Sequence, residues 1–283
     1  MTVAIDNCPY PDTLIGMEWE PSLRSARIVV PILMNVISPN SVVDVGCAWG
    51  SWLKAFQENG VPVVRGFDGG WVDVDKLVID QKNFRRVDLA EPFEIDGRFD
   101  LAVCLEVAEH LPDWAGRRLI QALTQAAPLV LFSAAIPGQG GHGHVNEQWP
   151  DYWASLFSTY GFRRLDPIRR HVWQNSQIAW WYRQNIFLFA SDDAIVKSAA
   201  LQAAAQDTSA SEVEWVNKDI VDEMSIRYDE MRKRHEDLRI SYADLRTLGG
   251  MWRALPAVLL RAIQSRLPWI RHDPGKPESN STM

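Results

Sequence analysis

Only three cysteines occur in 283 residues, Cys8, Cys47 and Cys104, and they lie far apart with no CxxC pair. That spacing excludes a disulfide framework and a thiolate zinc knuckle, and it suits a reducing compartment. No uninterrupted apolar run reaches the ~18–20 residues a membrane-spanning helix needs, and no basic stretch followed by an apolar run opens the chain as a secretory signal would. Positive charge is scarce as well. With 29 Lys and Arg against 36 Asp and Glu, the net charge is −7, the wrong sign for a protein whose main work is gripping phosphate backbones. Nucleic acid is therefore not an expected partner, and a cytoplasmic location is expected. What the chain has in quantity is apolar residues, at 47%, enough for a packed core.

Strand-like and helix-like patterns alternate over the first two thirds. A helix from Pro21 to Ile37 stops near Pro39-Asn40, followed by the short β-branched run Ser41–Val45, a helix over 51–60 and a strand over 61–68. Further strands are expected at Phe99–Cys104, Leu129–Phe132 and Arg183–Ala190, with helices at Trp114–Ala126 and Asp151–Tyr160. Such alternation implies βαβ units and a parallel sheet. The expected architecture is an α/β, Rossmann-like three-layer sandwich over residues 1–190. A linker or frayed helix follows over 191–212, then a helical stretch over 213–248, a basic amphipathic segment over 249–272 and a disordered tail over 273–283.

The first strand runs into Asp44-Val45-Gly46-Cys47-Ala48-Trp49-Gly50. A glycine turn at the carboxyl edge of a sheet lets a ligand approach the backbone. A dinucleotide would need G-x-G-x-x-G, but Ala48 and Ser51 stand where its second and third glycines belong. S-adenosylmethionine (SAM) asks less of this turn. Its ribose hydroxyls need an acidic acceptor at the end of the second strand, where Asp68 stands before Gly69, and its adenine a polar residue after the third, where Asp88-Leu89 fits. Asp44, Asp68 and Asp88 thus fall at the ends of three successive strands.

These residues carry a family resemblance. Asp44–Gly50 resembles the D-x-G-C-G-x-G motif of class I SAM-dependent methyltransferases, with Ala48 replacing a usual glycine. Phe99–Leu111 (FDLAVCLEVAEHL) resembles their F-D-x-V-x-x-x-E-V-x-E-H-L segment. The likeness covers roughly residues 40–190 and implies a seven-stranded sheet whose last strand is antiparallel. It implies SAM as cofactor, held by Asp44, Gly46, Cys47, Gly50, Asp68, Gly69, Asp88, Leu89, Leu105 and Glu106. Glu106, Glu109 and His110 with a distant His144 also resemble the E-x-x-E-H metal set of small-RNA 3′-terminal 2′-O-methyltransferases. That string is common in metal-free methyltransferases, so no metal is expected.

An alcohol acceptor must lose a proton, and His is the first candidate for a base. His110 with Glu109 follows the fourth strand, and His144 lies in the glycine-rich stretch Pro137–Gln148 after the fifth. His142 and Asn146 of that stretch, with Trp149 just after it, are expected to meet the acceptor. Trp149, Trp153, Trp173, Trp180 and Trp181 crowd the region, and sugars stack on aromatic faces. The chain resembles methyltransferases associated with cell-surface polysaccharide synthesis, which points to a sugar hydroxyl. A small-molecule acceptor, or a non-catalytic scaffold with a degenerate site, are the competing readings.

From Val221, Met224, Tyr228, Met231, His235, Leu238, Tyr242 and Leu245 recur at alternating spacings of 3 and 4, a heptad seam that predicts a homo-oligomer. Met251–Arg271 mixes apolar residues with arginines and predicts peripheral contact with an anionic membrane face.

Overall fold

A computed structural model describes residues 19–207, 216 and 218–245. The segments read above as a basic amphipathic stretch over 249–272 and a tail over 273–283 lie outside the described residues. The described residues divide after Met224 into two units, the first of which holds the sheet.

Helix α1 (Trp19–Met34) precedes β1 (Ser41–Val45), α2 (Ser51–Glu58) and β2 (Val63–Asp68). Then come β3 (Phe84–Arg86), β4 (Leu101–Leu105), α3 (Asp113–Ala126) and β5 (Leu129–Ser133). The second half adds α4 (Pro150–Ser158), β6 (Phe162–Leu165), α5 (Arg169–Val172), α6 (Trp180–Asn185) and β7 (Phe187–Ser191). The seven strands are ordered β3-β2-β1-β4-β5-β7-β6. β7 runs antiparallel to both β5 and β6, and β1–β5 pair in parallel. This is the expected Rossmann-like methyltransferase fold.

Both faces of the sheet are covered. All five residues of β4 and all five of β5 are buried, as continuous apolar runs in a parallel sheet should be. On one face α1 and α2 bring Val29, Leu33, Leu53 and Phe56 onto the sheet. On the other, α3 and α4 bring Leu119, Leu123, Trp153 and Phe157 against Phe132 and Phe189. The Phe157 and Phe189 rings stack at 3.9 Å.

Two differences from the sequence reading have physical causes. The strand expected at Arg183–Ala190 begins only at Phe187, because 180–185 is helical. The side chains of Arg183 and Asn185 turn inward there. Arg183 donates to the Ile178 and Trp173 carbonyls at 3.1 and 3.0 Å. Strands β3 and β6, three and four residues long, carry two arginines each and so lack an apolar signature. Within the stretch read as a linker over 191–212, α7 (Asp192–Lys197) and α8 (Ala199–Asp207) bury Ile195 and Leu201. Helix α9 (Lys218–Leu245) follows. Among the described residues no helix is long and apolar enough to cross a membrane.

Phe157 is fully buried in an aromatic cluster with Phe132, Phe162 and Phe189. Phe157→Ala is expected to cost about 3–5 kcal/mol, measured by urea unfolding followed through tryptophan fluorescence.

Candidate active site

Strand order reverses between β1 and β4, and in open α/β sheets the crevice outside the strands' carboxyl ends opens at such a point. Both motif segments lie there. Gly46, with φ 84°, comes so close to β4's exit that a Cβ would sit 2.2 Å from Val107 Cγ2. Gly50, with φ 85°, caps α2, and a Cβ there would meet Ile79 at 2.9 Å. Ala48 also has a positive φ, 46°, a conformation that suits the glycine of the motif this turn resembles. Its left-handed backbone costs roughly 1–2 kcal/mol.

Asp44 and Asp68 are both buried beneath this turn. One Asp68 oxygen accepts the Ala48 N–H at 2.6 Å, and the other accepts Gly69 N–H at 2.6 Å. With the Trp71 side chain donating as well, one of the four lone-pair sites remains for a ligand hydroxyl. Burial pushes Asp68 up to about 6 against these N–H bonds and one from the Trp71 side chain. Asp44 is driven well upward by burial and then by the neighbouring Asp68. Two buried carboxylates without a cation between them are held at a cost, and a ligand with an ammonium group and ribose hydroxyls would relieve it. The residues thus fit SAM, which carries both. Cys47 is buried and lies against Gly66 of β2, where a Cβ would meet its Sγ at 2.6 Å.

The adenine end is less built. Asp88 is exposed and accepts the Ala90 N–H at 2.9 Å, a turn closure, beside a shallow depression shared with Arg85 and Glu91. Leu89 packs on the core, as does buried Leu105.

β4 leads into a second cluster. Glu106 takes φ 56°, a strained conformation of the kind functional sites retain. Its carboxylate accepts Gln139 Nε2 at 3.1 Å and Asn185 Nδ2 at 3.2 Å. A 3₁₀ turn, Ala108–His110, then buries Glu109 completely. The Glu109 oxygens make no well-formed hydrogen bond, meeting only loosely the backbone N–H groups of Glu109 and Ala135 and the Glu106 carboxyl. Burial first, then the Glu106 charge, raises its carboxyl well above the usual range. The His110 and His144 rings meet edge to face at 4.8 Å. Burial, with His144 next, lowers His110 to about 4, so it is neutral at neutral pH.

The glycine-rich loop folds back onto this turn. The N–H groups of Val145 and Asn146 both donate to the Glu109 carbonyl, at 2.8 and 3.0 Å. The Asn146 side chain is buried, accepting from Gln148 at 3.0 Å, so it braces the loop. Glu147 accepts the Gly138 and Gly140 N–H groups at 2.8 and 2.6 Å and holds His144 Nδ1 at 2.8 Å. Because a carboxylate only accepts, Nδ1 carries the proton and Nε2 is left as the basic atom. Gly141 passes so near that a Cβ would lie 2.2 Å from Nε2. His142 and Trp149 are exposed, while Trp153 is buried against Phe132 and Trp173, Trp180 and Trp181 are half-buried.

The sequence reading passed over Glu147, Gln139 and Asn185. Glu147 was legible in principle, standing three residues after His144. The other two were not, since only the fold brings 106, 139 and 185 together.

Residues 25–185 match the family model described as a methyltransferase domain, more than half of the chain, and the protein belongs to that family. It is a class I SAM-dependent methyltransferase. No curated protein matches the chain. Among solved structures it is similar to human N-acetylserotonin methyltransferase in complex with SAM (15% identity, TM-score 0.47, 63% of this chain and 55% of that one). It is also similar to magnesium protoporphyrin IX methyltransferase from Synechocystis PCC 6803 with bound S-adenosylhomocysteine (18%, 0.45, 66% and 91%). A third likeness is the methyltransferase domain of bacterial CtHen1-C (13%, 0.45, 60% and 98%). The chain thus spans about half the length of the human enzyme.

Protonated Asp68 has lost a lone pair that a ribose hydroxyl would use. S-adenosylhomocysteine affinity, measured by calorimetry, is therefore expected to fall as pH drops through about 6, by up to about tenfold per unit below it. Asp68→Asn should bind weakly at every pH, without that inflection.

Proposed function

We propose that this enzyme methylates a hydroxyl oxygen of a saccharide-type acceptor, with His144 as general base. The observation that carries the reading is the His144–Glu147 pair, anchored by two loop N–H groups and set beside His110 at the crevice. SAM supplies an electrophilic methyl on a sulfonium, leaving the protein to supply proximity and a proton acceptor. Asp44 and Asp68 would hold the cofactor's amino and ribose groups, and the Gly46–Gly50 turn would let them approach. An acceptor hydroxyl would give its proton to Nε2 of His144 as its oxygen takes up the methyl. The Glu147 carboxylate steadies the imidazolium. Trp149, half exposed at 50% just after this loop, offers a stacking face for a pyranose ring, and His142 a polar contact. A cytoplasmic enzyme acting on glycan precursors is consistent with these features, as is a hydroxylated small molecule of similar polarity.

His144→Ala is expected to lower kcat by about 10²–10⁴-fold while S-adenosylhomocysteine binding survives, with Glu147→Gln intermediate. An acceptor screen starting from nucleotide sugars and oligosaccharides tests the substrate class. Turnover confined to amines or carbon acceptors would remove the reading.

A second reading has its own observation. Glu109, His110 and His144 each offer a donor atom, all within 4.8 Å of one another, and Glu109 is a buried carboxylate without a well-formed hydrogen bond. That set suits a divalent cation. Equilibrium dialysis against Mg²⁺, Mn²⁺ and Zn²⁺ separates the two. About one ion retained per chain, lost in Glu109→Gln, together with turnover abolished by EDTA, would favour the metal. No retained ion and EDTA-insensitive turnover would leave His144 as the base.

A further inference from the structure

Helix α9 is 28 residues long, and every residue from Met224 to Arg239 is exposed. Along it Tyr228, Met231, His235 and Leu238 form one stripe at spacings of 3, 4 and 3, with Tyr228, Met231 and Leu238 exposed by 60, 62 and 69%. In the sequence the spacing continues through Tyr242 and Leu245. Two apolar positions per heptad make a narrow seam suited to a partner helix, whereas a helix lying in a bilayer surface needs a broad apolar face. The polar surface argues the same way. Between residues 224 and 239, five basic residues, Arg227, Arg232, Lys233, Arg234 and Arg239, stand against four acids, Asp229, Glu230, Glu236 and Asp237, so the helix has little net charge to draw it to anionic lipid.

The residues bordering the seam are all of one sign. Arg232 and Arg239 follow Met231 and Leu238 along one edge, and Arg227 and Arg234 precede Tyr228 and His235 along the other. The acids stand one position further out. Asp229 and Glu236 reach Arg232 and Arg239 at 3.7 and 3.5 Å, and such exposed pairs are weak and readily exchanged. In a two-stranded coiled coil the edge positions of one helix face those of the other. A parallel pair of these helices would set Arg227 against Arg232 and Arg234 against Arg239. An antiparallel pair would set each arginine edge against itself. Like charges meet either way, which opposes the homo-oligomer expected from the heptad pattern alone.

We propose that α9 is a docking site for an amphipathic helix of a partner protein, whose apolar seam is bordered by Asp and Glu. Its arginine edges then select the partner and exclude a second copy of the chain, as charged edge positions do in coiled coils.

The test uses the full-length protein with two synthetic helical peptides carrying the same Val/Leu seam, one with Glu and the other with Lys at the bordering positions. Fluorescence anisotropy should show the Glu peptide binding at least about tenfold more tightly, and weakening with added salt. Arg232→Glu with Arg239→Glu should reverse the preference without altering S-adenosylhomocysteine binding, which reports that the catalytic unit is intact. The proposal is overturned by equal affinity for both peptides. It also fails if the protein alone sediments as a dimer that Met231→Asp dissociates, or if vesicles of anionic lipid bind α9 while the Glu peptide does not.

Discussion

The close approach of Gly46 to Val107 governs this molecule's chemistry. β1 and β4 are neighbours in the sheet, and their exits can touch only because one of the two residues lacks a side chain. A Cβ at Gly46 would overlap the valine methyl at 2.2 Å, and with φ 84° no other residue adopts the turn without strain. That contact sets the cofactor turn and the acidic 3₁₀ turn side by side. The first turn covers the buried Asp44 and Asp68, and the second carries Glu109 and His110.

The second consequence is electrostatic. Asp44, Asp68, Glu106 and Glu109 crowd one region, and burial raises the proton affinity of each. Such a site is unfavourable in itself and is the kind that a cationic ligand stabilises. Backbone strain concentrates at the same place. Ala48 and Glu106, the two non-glycine residues with positive φ among those described, each lie in a loop that the methyltransferase motifs occupy. The core pays for this: continuous apolar strands and stacked rings at Phe157 and Phe189 hold both loops against their own conformational preference.

The loop carrying His144 illustrates how a flexible sequence becomes a fixed site. Its glycines would leave it mobile, yet Glu147 draws in two of its N–H groups and the Glu109 carbonyl takes two more. The imidazole is thereby oriented by neighbours within its own loop, and its tautomer follows from the carboxylate on Nδ1.

Much was written in the sequence because its signals are local. Apolar runs of five, glycines at turns and helical periodicity gave the sheet, the helices and the Asp44–Gly50 turn, since each depends on residues a few positions apart. The acids at strand ends were legible for the same reason, whereas the placement of Asp68 under the turn, a contact across 20 residues, was not. Tertiary structure alone decided the rest. Only folding brings Gln139 and Asn185 onto Glu106, turns the Asn146 side chain inward as a brace, and sinks Glu109 where its charge is unfavourable. The helix at 180–185, whose last three residues were read as strand, followed from buried partners for Arg183 and Asn185 that no local pattern announces. A sequence records what neighbours along the chain prefer, whereas the partners of a buried polar group are set by which distant elements the core brings together.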